Sequence, residues 1–353
     1  MFKFGLLTAI LEEMNFEEVV SYASSLGLNC LEVACWPYAG TAARRYAGTC
    51  HINAESLTKK KAEEIKSNLE SKSIAVTALG YYPNILESDA KKRETYVNHI
   101  YSLIDAAKLL DVNMISTFLG RKRGKTFSEN LKAVKEIWMP ILRYAEKKKV
   151  KIAIENCPMW FTDDEWPGGQ NIMTSPENWK RIFDLLDSDC LGINFDPSHF
   201  VWQNMDYISP IYEFKEKIFH FHCKDIKVYP DKLKRVGVMA NPLEYMTPKI
   251  PGLGDVNWSK FISAITDIGF KGGVVAEIED KAFEADLTEK KHAIEQTVGY
   301  LRNCRFLQFQ QLWLLDWLPA EIPLVEAMQQ TQAPTQHTFM FLPLRRIMDG
   351  QVL

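Results

Sequence analysis

KIAIENCP at positions 151–158, SPENWKRIFDLL at 175–186 and LGINFDPSH at 191–199 belong to one stretch of chain. The first and third pieces open with short apolar runs, Lys151–Glu155 and Leu191–Phe195, of strand length. Between them the amphipathic segment Pro176–Leu186 reads as a helix, with Ser175 as N-cap and Pro176 at the first helical position. Strand, helix and strand in that order form a βαβ unit, whose two strands lie parallel and whose crossover is right-handed.

The same rhythm extends in both directions. Further apolar runs occur at Phe2–Leu7, Cys30–Ala34, Ile74–Leu79, Met114–Phe118, Ile218–Cys223 and Val274–Ile278, most of them rich in β-branched or aromatic residues. Amphipathic segments separate them at Phe16–Leu26, Thr58–Glu70, Arg93–Leu110, Asn130–Lys148 and Trp258–Ile268, and a last one, Thr288–Asn303, follows the eighth run. Gly27 closes the first helix and Asn257 caps the one that starts at Trp258. Eight βα repeats predict an α/β fold, a single closed (β/α)8 TIM barrel over residues 1–304. An open doubly wound sheet is disfavoured, because the first strand runs into FGLLTAILEE (4–13) without a GxGxxG turn. From Arg305 the rhythm stops. Residues 305–353 form an apolar, glutamine-rich tail broken by Pro319, Pro323, Pro334 and Pro343, expected to pack loosely or to be partly disordered.

Composition narrows the function. A chain of 353 residues with 46% hydrophobic content can bury one large core. Its 42 basic and 45 acidic residues leave a net charge of −3, so no positive field draws in nucleic acid. Seven scattered cysteines without a CxxC pair argue against a disulfide framework and a thiolate zinc site, and fit a reducing cytoplasm. The opening MFKFGLLTAILEE reads as a strand rather than a signal peptide, and no uninterrupted apolar run is long enough to span a membrane.

In a parallel barrel the chemistry sits where strands end, so polar residues that close apolar runs are the informative ones. Glu155 with Asn156 closes one run, Asp196 with His199 beyond closes the next, His222 with Asp225 beyond the next, and Glu277 the last. A single glutamate in such a place is usually a solvated loop residue or a helix cap, but four ionisable groups on consecutive strands point to one site. Three carboxylates and an imidazole, without sulfur, suit one divalent metal ion: Mn2+ first, with Mg2+, Co2+ or Zn2+ as alternatives. His220 and His222 share a face of their strand, and on pattern alone either serves as the ligand. Glu32, in LEVAC, fits equally a place at the barrel mouth and a buried, paired carboxylate.

LEVACWP (31–37), GYYPN (80–84), KIAIENCP, GINFDPSH, FHCKD, PGLGDVNW (251–258) and VVAEIED (274–280) together resemble the xylose isomerase-like barrel superfamily. The nearest part is its sugar phosphate isomerase/epimerase group, with the ketose 3-epimerases, hydroxypyruvate isomerases and inosose dehydratases; the likeness covers residues 1 to about 304. The resemblance implies that Glu155, Asp196, His222 and Glu277 hold the metal, that Glu155 and Glu277 also move the proton, and that His199 meets substrate oxygens. Val228 stands where the ketose 3-epimerases keep an arginine, which leaves the substrate open; Lys224, Lys227 or Arg235 are the basic residues able to replace it. The expected activity is a metal-dependent isomerase or epimerase acting on a sugar, keto-sugar or sugar phosphate through an enediolate.

The alternatives are a metal-dependent lyase or dehydratase on a keto-inositol or keto-glycoside, an endonuclease-type phosphodiesterase, which would need more histidines at strand ends, and a non-catalytic sugar-binding module. Trp36 and Tyr81 are expected to bind substrate. Tyr46, Tyr82, Trp160, Trp166 and Trp202 also fall in or near βα-loops, where rings either stack on a sugar or pack on each other. The RKRGK run, Arg121 to Lys125, reads as a phosphate or carboxylate site or as a solvated loop. A small carbohydrate is the partner expected, with neither nucleic acid nor membrane; a homo-oligomer is compatible.

Overall fold

The computed structural model describes residues 2–37, 47–159 and 167–306. The tail from 307 onward, Tyr46, Trp160 and Trp166 lie outside the described residues, and so do the expectations attached to them. Eight parallel strands close into a barrel: β1 (Lys3–Leu7), β2 (Cys30–Ala34), β3 (Ala75–Gly80), β4 (Met114–Thr117), β5 (Lys151–Glu155), β6 (Leu191–Phe195), β7 (Ile218–Cys223) and β10 (Gly273–Ala276). Neighbours follow chain order, and β10 pairs with both β1 and β7 to close the ring. This is the (β/α)8 architecture expected of the eight repeats.

Local signals set the helices. Ser175 accepts a hydrogen bond from the Asn178 N–H at the start of Pro176–Leu186, and Asn257 accepts from Lys260 N–H at the start of Trp258–Asp267. Two helices begin earlier than their apolar spacing suggests, because polar caps define them. Asp89 caps Ala90–Leu109, and Thr126 with Glu129 forms a capping box on Phe127–Lys148. The apolar stripes of these helices close over the strands, where Trp138, Trp179 and Trp258 are fully buried. Burying such large rings provides the main driving force for holding helices to barrel.

One element has no counterpart in the sequence reading. Immediately after β7 the chain forms β8 (Asp225–Val228) and, after the helix Pro230–Val236, β9 (Met246–Lys249), paired antiparallel outside the barrel. Four-residue strands of mixed polarity carry no periodic signal above that of a loop. The base of this hairpin is fixed by Asp225. Its carboxylate accepts hydrogen bonds from the backbone N–H groups of Ile226, Gly252, Gly254 and Val256 and from Trp258 Nε1. Gly254 is needed for that approach, since a Cβ there would lie 2.2 Å from Asp225 Oδ1.

Asp225→Ala would strand several buried donors at once. The expected cost is about 3 kcal/mol of unfolding free energy, measured by urea titration, with Asp225→Asn costing less; a loss below about 1 kcal/mol in the alanine variant would show that the loop does not depend on this carboxylate.

Candidate metal centre

The pleat points alternate residues of each strand into the barrel, and near its carboxyl end that interior is polar. Glu32 on β2, Ser116 on β4, Asn194 on β6 and His222 on β7 are all completely buried. The Tyr82 hydroxyl donates to Glu32, Ser116 lies 2.9 Å from both the Tyr82 hydroxyl and Asn194 Nδ2, and His222 Nε2 lies 2.8 Å from Glu32 Oε2. The Glu32 carboxylate is an acceptor, so it keeps the ring proton on Nε2 and leaves the Nδ1 lone pair on the side of Glu277 and Glu155. His220 sits deeper. Its Nε2 lies 2.9 Å from Thr77 Oγ1, and burial pushes its pKa down to about 4, which makes it a neutral core histidine. Of the two histidines on this strand, His222 faces the carboxylates.

Above this layer the strand ends converge. His222 Nδ1 lies 3.0 Å from Glu277 Oε2 and 3.6 Å from Glu155 Oε1. Asp196 is completely buried and follows β6; its Oδ2 lies 3.2 Å from His199 Nε2, which is also 3.6 Å from Glu155 Oε1. Asn156 sets the position of Asp196, accepting from its backbone N–H at 2.7 Å and donating to its carbonyl at 2.9 Å. Lys224, 4% exposed, reaches in from beyond β7 to within 3.1 Å of both Asp196 Oδ2 and Glu277 Oε2.

Burial opposes the charged form of all these groups. Glu155 is nevertheless held well below the usual carboxylate range by the Lys224 ammonium and the His199 and His222 rings. Glu277, by contrast, is pushed up by burial. Burial also disfavours charge on Lys224, but Glu277, Glu279, Asp196 and Glu155 keep it well above its ordinary value.

These residues fit a metal ion. Glu155 Oε1, Asp196 Oδ2 and His222 Nδ1 are buried and make no hydrogen bond, a costly state for three acceptor atoms unless a cation satisfies them. Oxygen and nitrogen donors without sulfur suit a hard or borderline divalent ion. The Glu32–His222 contact is the outer partner that metal-bound histidines ordinarily have.

Of the residues singled out in the sequence, Glu155, Asp196, His222, Glu277, His199 and Lys224 come together, and Trp36 lines the same cavity. Tyr81 does not reach that wall. It is 1% exposed and packed between Trp36 and His99, with ring centroids 4.9 and 4.5 Å away, while Tyr82 lines the cavity in its place. Trp202 packs with Ile226, Tyr245 and Met246 instead. Lys227 and Arg235 are exposed, and in the RKRGK run Lys125 pairs with Glu129 on the surface. Cys157, Glu279 and Lys281 line the cavity without having been singled out. A lone cysteine after a strand and charges in an acidic loop carry no spacing signal; Glu32, an acid within an apolar strand, did carry one.

Glu32→Gln keeps the shape of the buried layer but loses the charge that orients His222. The expected result is a metal affinity lowered by about 10- to 100-fold, read by titration calorimetry with Mn2+. Unchanged affinity would reduce Glu32 to a packing role.

The cavity above these groups measures roughly 700 Å³. Among the described residues no helix is long and apolar enough to cross a membrane. The family profile described as xylose isomerase-like TIM barrel matches residues 20–304. The YfiH protein of Bacillus subtilis is 24% identical over 333 residues, covering 84% of this chain and 99% of its own. Among solved structures, D-psicose 3-epimerase with D-tagatose from Clostridium cellulolyticum superposes with a TM-score of 0.61 at 16% identity, over 86% of this chain and 99% of that one. The IolI protein with a bound zinc atom gives 0.62 at 18% identity, over 86% and 97%. Identities this low show a shared fold, whereas the profile covers most of the sequence, from the first helix to the last: the chain belongs to the xylose isomerase-like TIM barrel family.

Proposed function

We propose that the protein is a divalent-metal-dependent isomerase or epimerase of a sugar, keto-sugar or sugar phosphate, with Glu155, Asp196, His222 and Glu277 as ligands. The observation that carries this reading is the set of buried ligand atoms without a hydrogen bond on Glu155, Asp196 and His222, beside a cavity of roughly 700 Å³ that Glu155 and Glu277 line. That volume suits a small molecule, and its walls combine rings and aliphatic groups, Trp36, Phe118, Ile10 and Met246, with a charged floor. The structural neighbours named above include a ketose epimerase and a zinc-binding protein, which supports both halves of the proposal.

A bound divalent ion supplies polarisation of a substrate carbonyl and stabilises negative charge as it develops on that oxygen. The protein's own residues do the rest. Glu155 and Glu277 stand at the ends of β5 and β10, on either side of Asp196 and His222. A substrate carbon placed between them meets a carboxylate on each face, so one takes its proton and the other returns one. Proton return to the same carbon inverts it, and return to the neighbouring carbon moves the carbonyl. His199 and Lys224 line the cavity and present N–H donors to substrate oxygens.

An endonuclease-type site gains nothing from His51 and His99. His51 is committed to Thr8 Oγ1 and the Leu11 carbonyl, and His99 to Glu55 and the Cys35 carbonyl. The test is a screen of ketoses, their phosphates and keto-inositols in heavy water with metal-reconstituted enzyme, read by NMR. Solvent deuterium in recovered substrate supports the isomerase or epimerase, whereas an unsaturated or shortened product means the lyase or dehydratase alternative. Chelation should abolish turnover and Mn2+ should restore it. Glu277→Gln and Glu155→Gln should each lower turnover by about 10²-fold or more while metal still binds; near-native turnover in metal-loaded Glu277→Gln would exclude the two-base scheme.

A further inference from the structure

Lys224 is set among four carboxylates. Its ammonium is 3.1 Å from Asp196 Oδ2, 3.1 Å from Glu277 Oε2, 3.5 Å from Glu279 Oε2 and 3.7 Å from Glu155 Oε1. Three of these oxygens belong to the proposed metal ligands, and two of them, on Asp196 and Glu155, are among the buried atoms without a hydrogen bond. Lys224 is therefore close enough to neutralise the ligand oxygens and placed so that it fully satisfies only Glu277, with which it makes a hydrogen bond. Glu279 differs from the other three. It lies two residues beyond Glu277 with a side chain 27% exposed, and its carboxylate is free to keep the lysine when the others are engaged.

We propose that Lys224 is the resident countercharge of the ligand cluster: it holds the carboxylates together before the metal arrives, competes with the metal for the same oxygens, and is retained by Glu279 once the metal has bound. This rests on the metal-dependent reading above and adds a role to the substrate contact already given to Lys224. The physical basis is direct. Several carboxylates taken out of water without a cation repel strongly, so an apo site without Lys224 is destabilised. A fixed positive charge within about 4 Å of a divalent ion repels it, so the same lysine weakens metal binding. One side chain thus trades affinity for the integrity of the empty site. A residue that serves only as a substrate contact would affect neither property.

The experiment uses the full chain, stripped with chelator and dialysed, with Mn2+ alone as probe. Thermal unfolding of metal-free protein and calorimetric titration with Mn2+ are compared for wild type, Lys224→Met, Lys224→Arg and Glu279→Gln. Lys224→Met is expected to unfold at lower temperature without metal and to bind Mn2+ about tenfold more tightly or better, so that Mn2+ raises its unfolding temperature more than it does that of wild type. Lys224→Arg should recover much of the metal-free stability. Glu279→Gln should bind Mn2+ more weakly, because the lysine loses its alternative partner. A Lys224→Met variant that folds only when Mn2+ is present also bears out the proposal. The proposal is overturned if Lys224→Met matches wild type in metal-free stability, or if it binds Mn2+ no more tightly. If that variant does not fold at all, unchanged Mn2+ affinity in Glu279→Gln overturns the exchange. Failure of wild type to bind Mn2+, Zn2+, Mg2+ or Co2+ sinks the metal reading instead, while the metal-free unfolding temperatures still test the countercharge.

Discussion

Like charges held out of water repel far more strongly than the same charges in solvent, and Glu155, Asp196 and Glu277 are held that way at the ends of three strands. The upper part of the barrel is organised by that repulsion. Parallel strands in a closed ring have no edges, and their hydrogen-bond ladders fix where each strand ends. The backbone therefore cannot relax by splaying the carboxylates apart. Relief must come from positive charge, and the structure brings it from Lys224 and from the imidazole of His199.

Beneath the carboxylates a second requirement operates. An imidazole that is to offer one nitrogen upward must have its other nitrogen bound below, and Glu32 does this from the opposite side of the ring. Glu32 is itself buried, and the Tyr82 hydroxyl shares its charge with Ser116 and Asn194. Near its carboxyl end the interior of this barrel is thus a hydrogen-bonded polar layer, while Leu7 and Val275, and Ala78 and Met114, form apolar clusters between the strands. The polar layer binds β2, β4, β6 and β7 into one network, so the orientation of His222 depends on residues far from it in sequence.

The eight strands and the four converging residues proposed as ligands were legible from residues 151–199 outward because each strand is a short apolar run and each of those residues interrupts or ends one. Periodicity is a local signal, and it placed Glu155, Asp196 and Glu277 at or just past strand ends. It could not choose between His220 and His222, which share a face; depth along the barrel separates them, and depth is set by register with neighbouring strands. Nor could it distinguish Tyr81 from Tyr82, since adjacent residues leaving a strand diverge by a rotation that no composition records. The β8–β9 hairpin escaped because its pairing is between residues about twenty apart in the chain and rests on the Asp225 clamp rather than on apolar spacing.

That hairpin gives the fold a division between parts that can change and parts that cannot. Leu243, Met246, Thr247 and Pro248 contribute to the cavity wall from within or beside it, while Asp225 anchors its base directly after Lys224. This part of the cavity wall is thus an insertion hung from a fixed point, and its residues are free to drift without disturbing the carboxylates at the strand ends. Descendants of one ancestral barrel can diverge in what they admit while inheriting the same chemistry, and variation among relatives is expected to concentrate between the clamp and the glycines it holds.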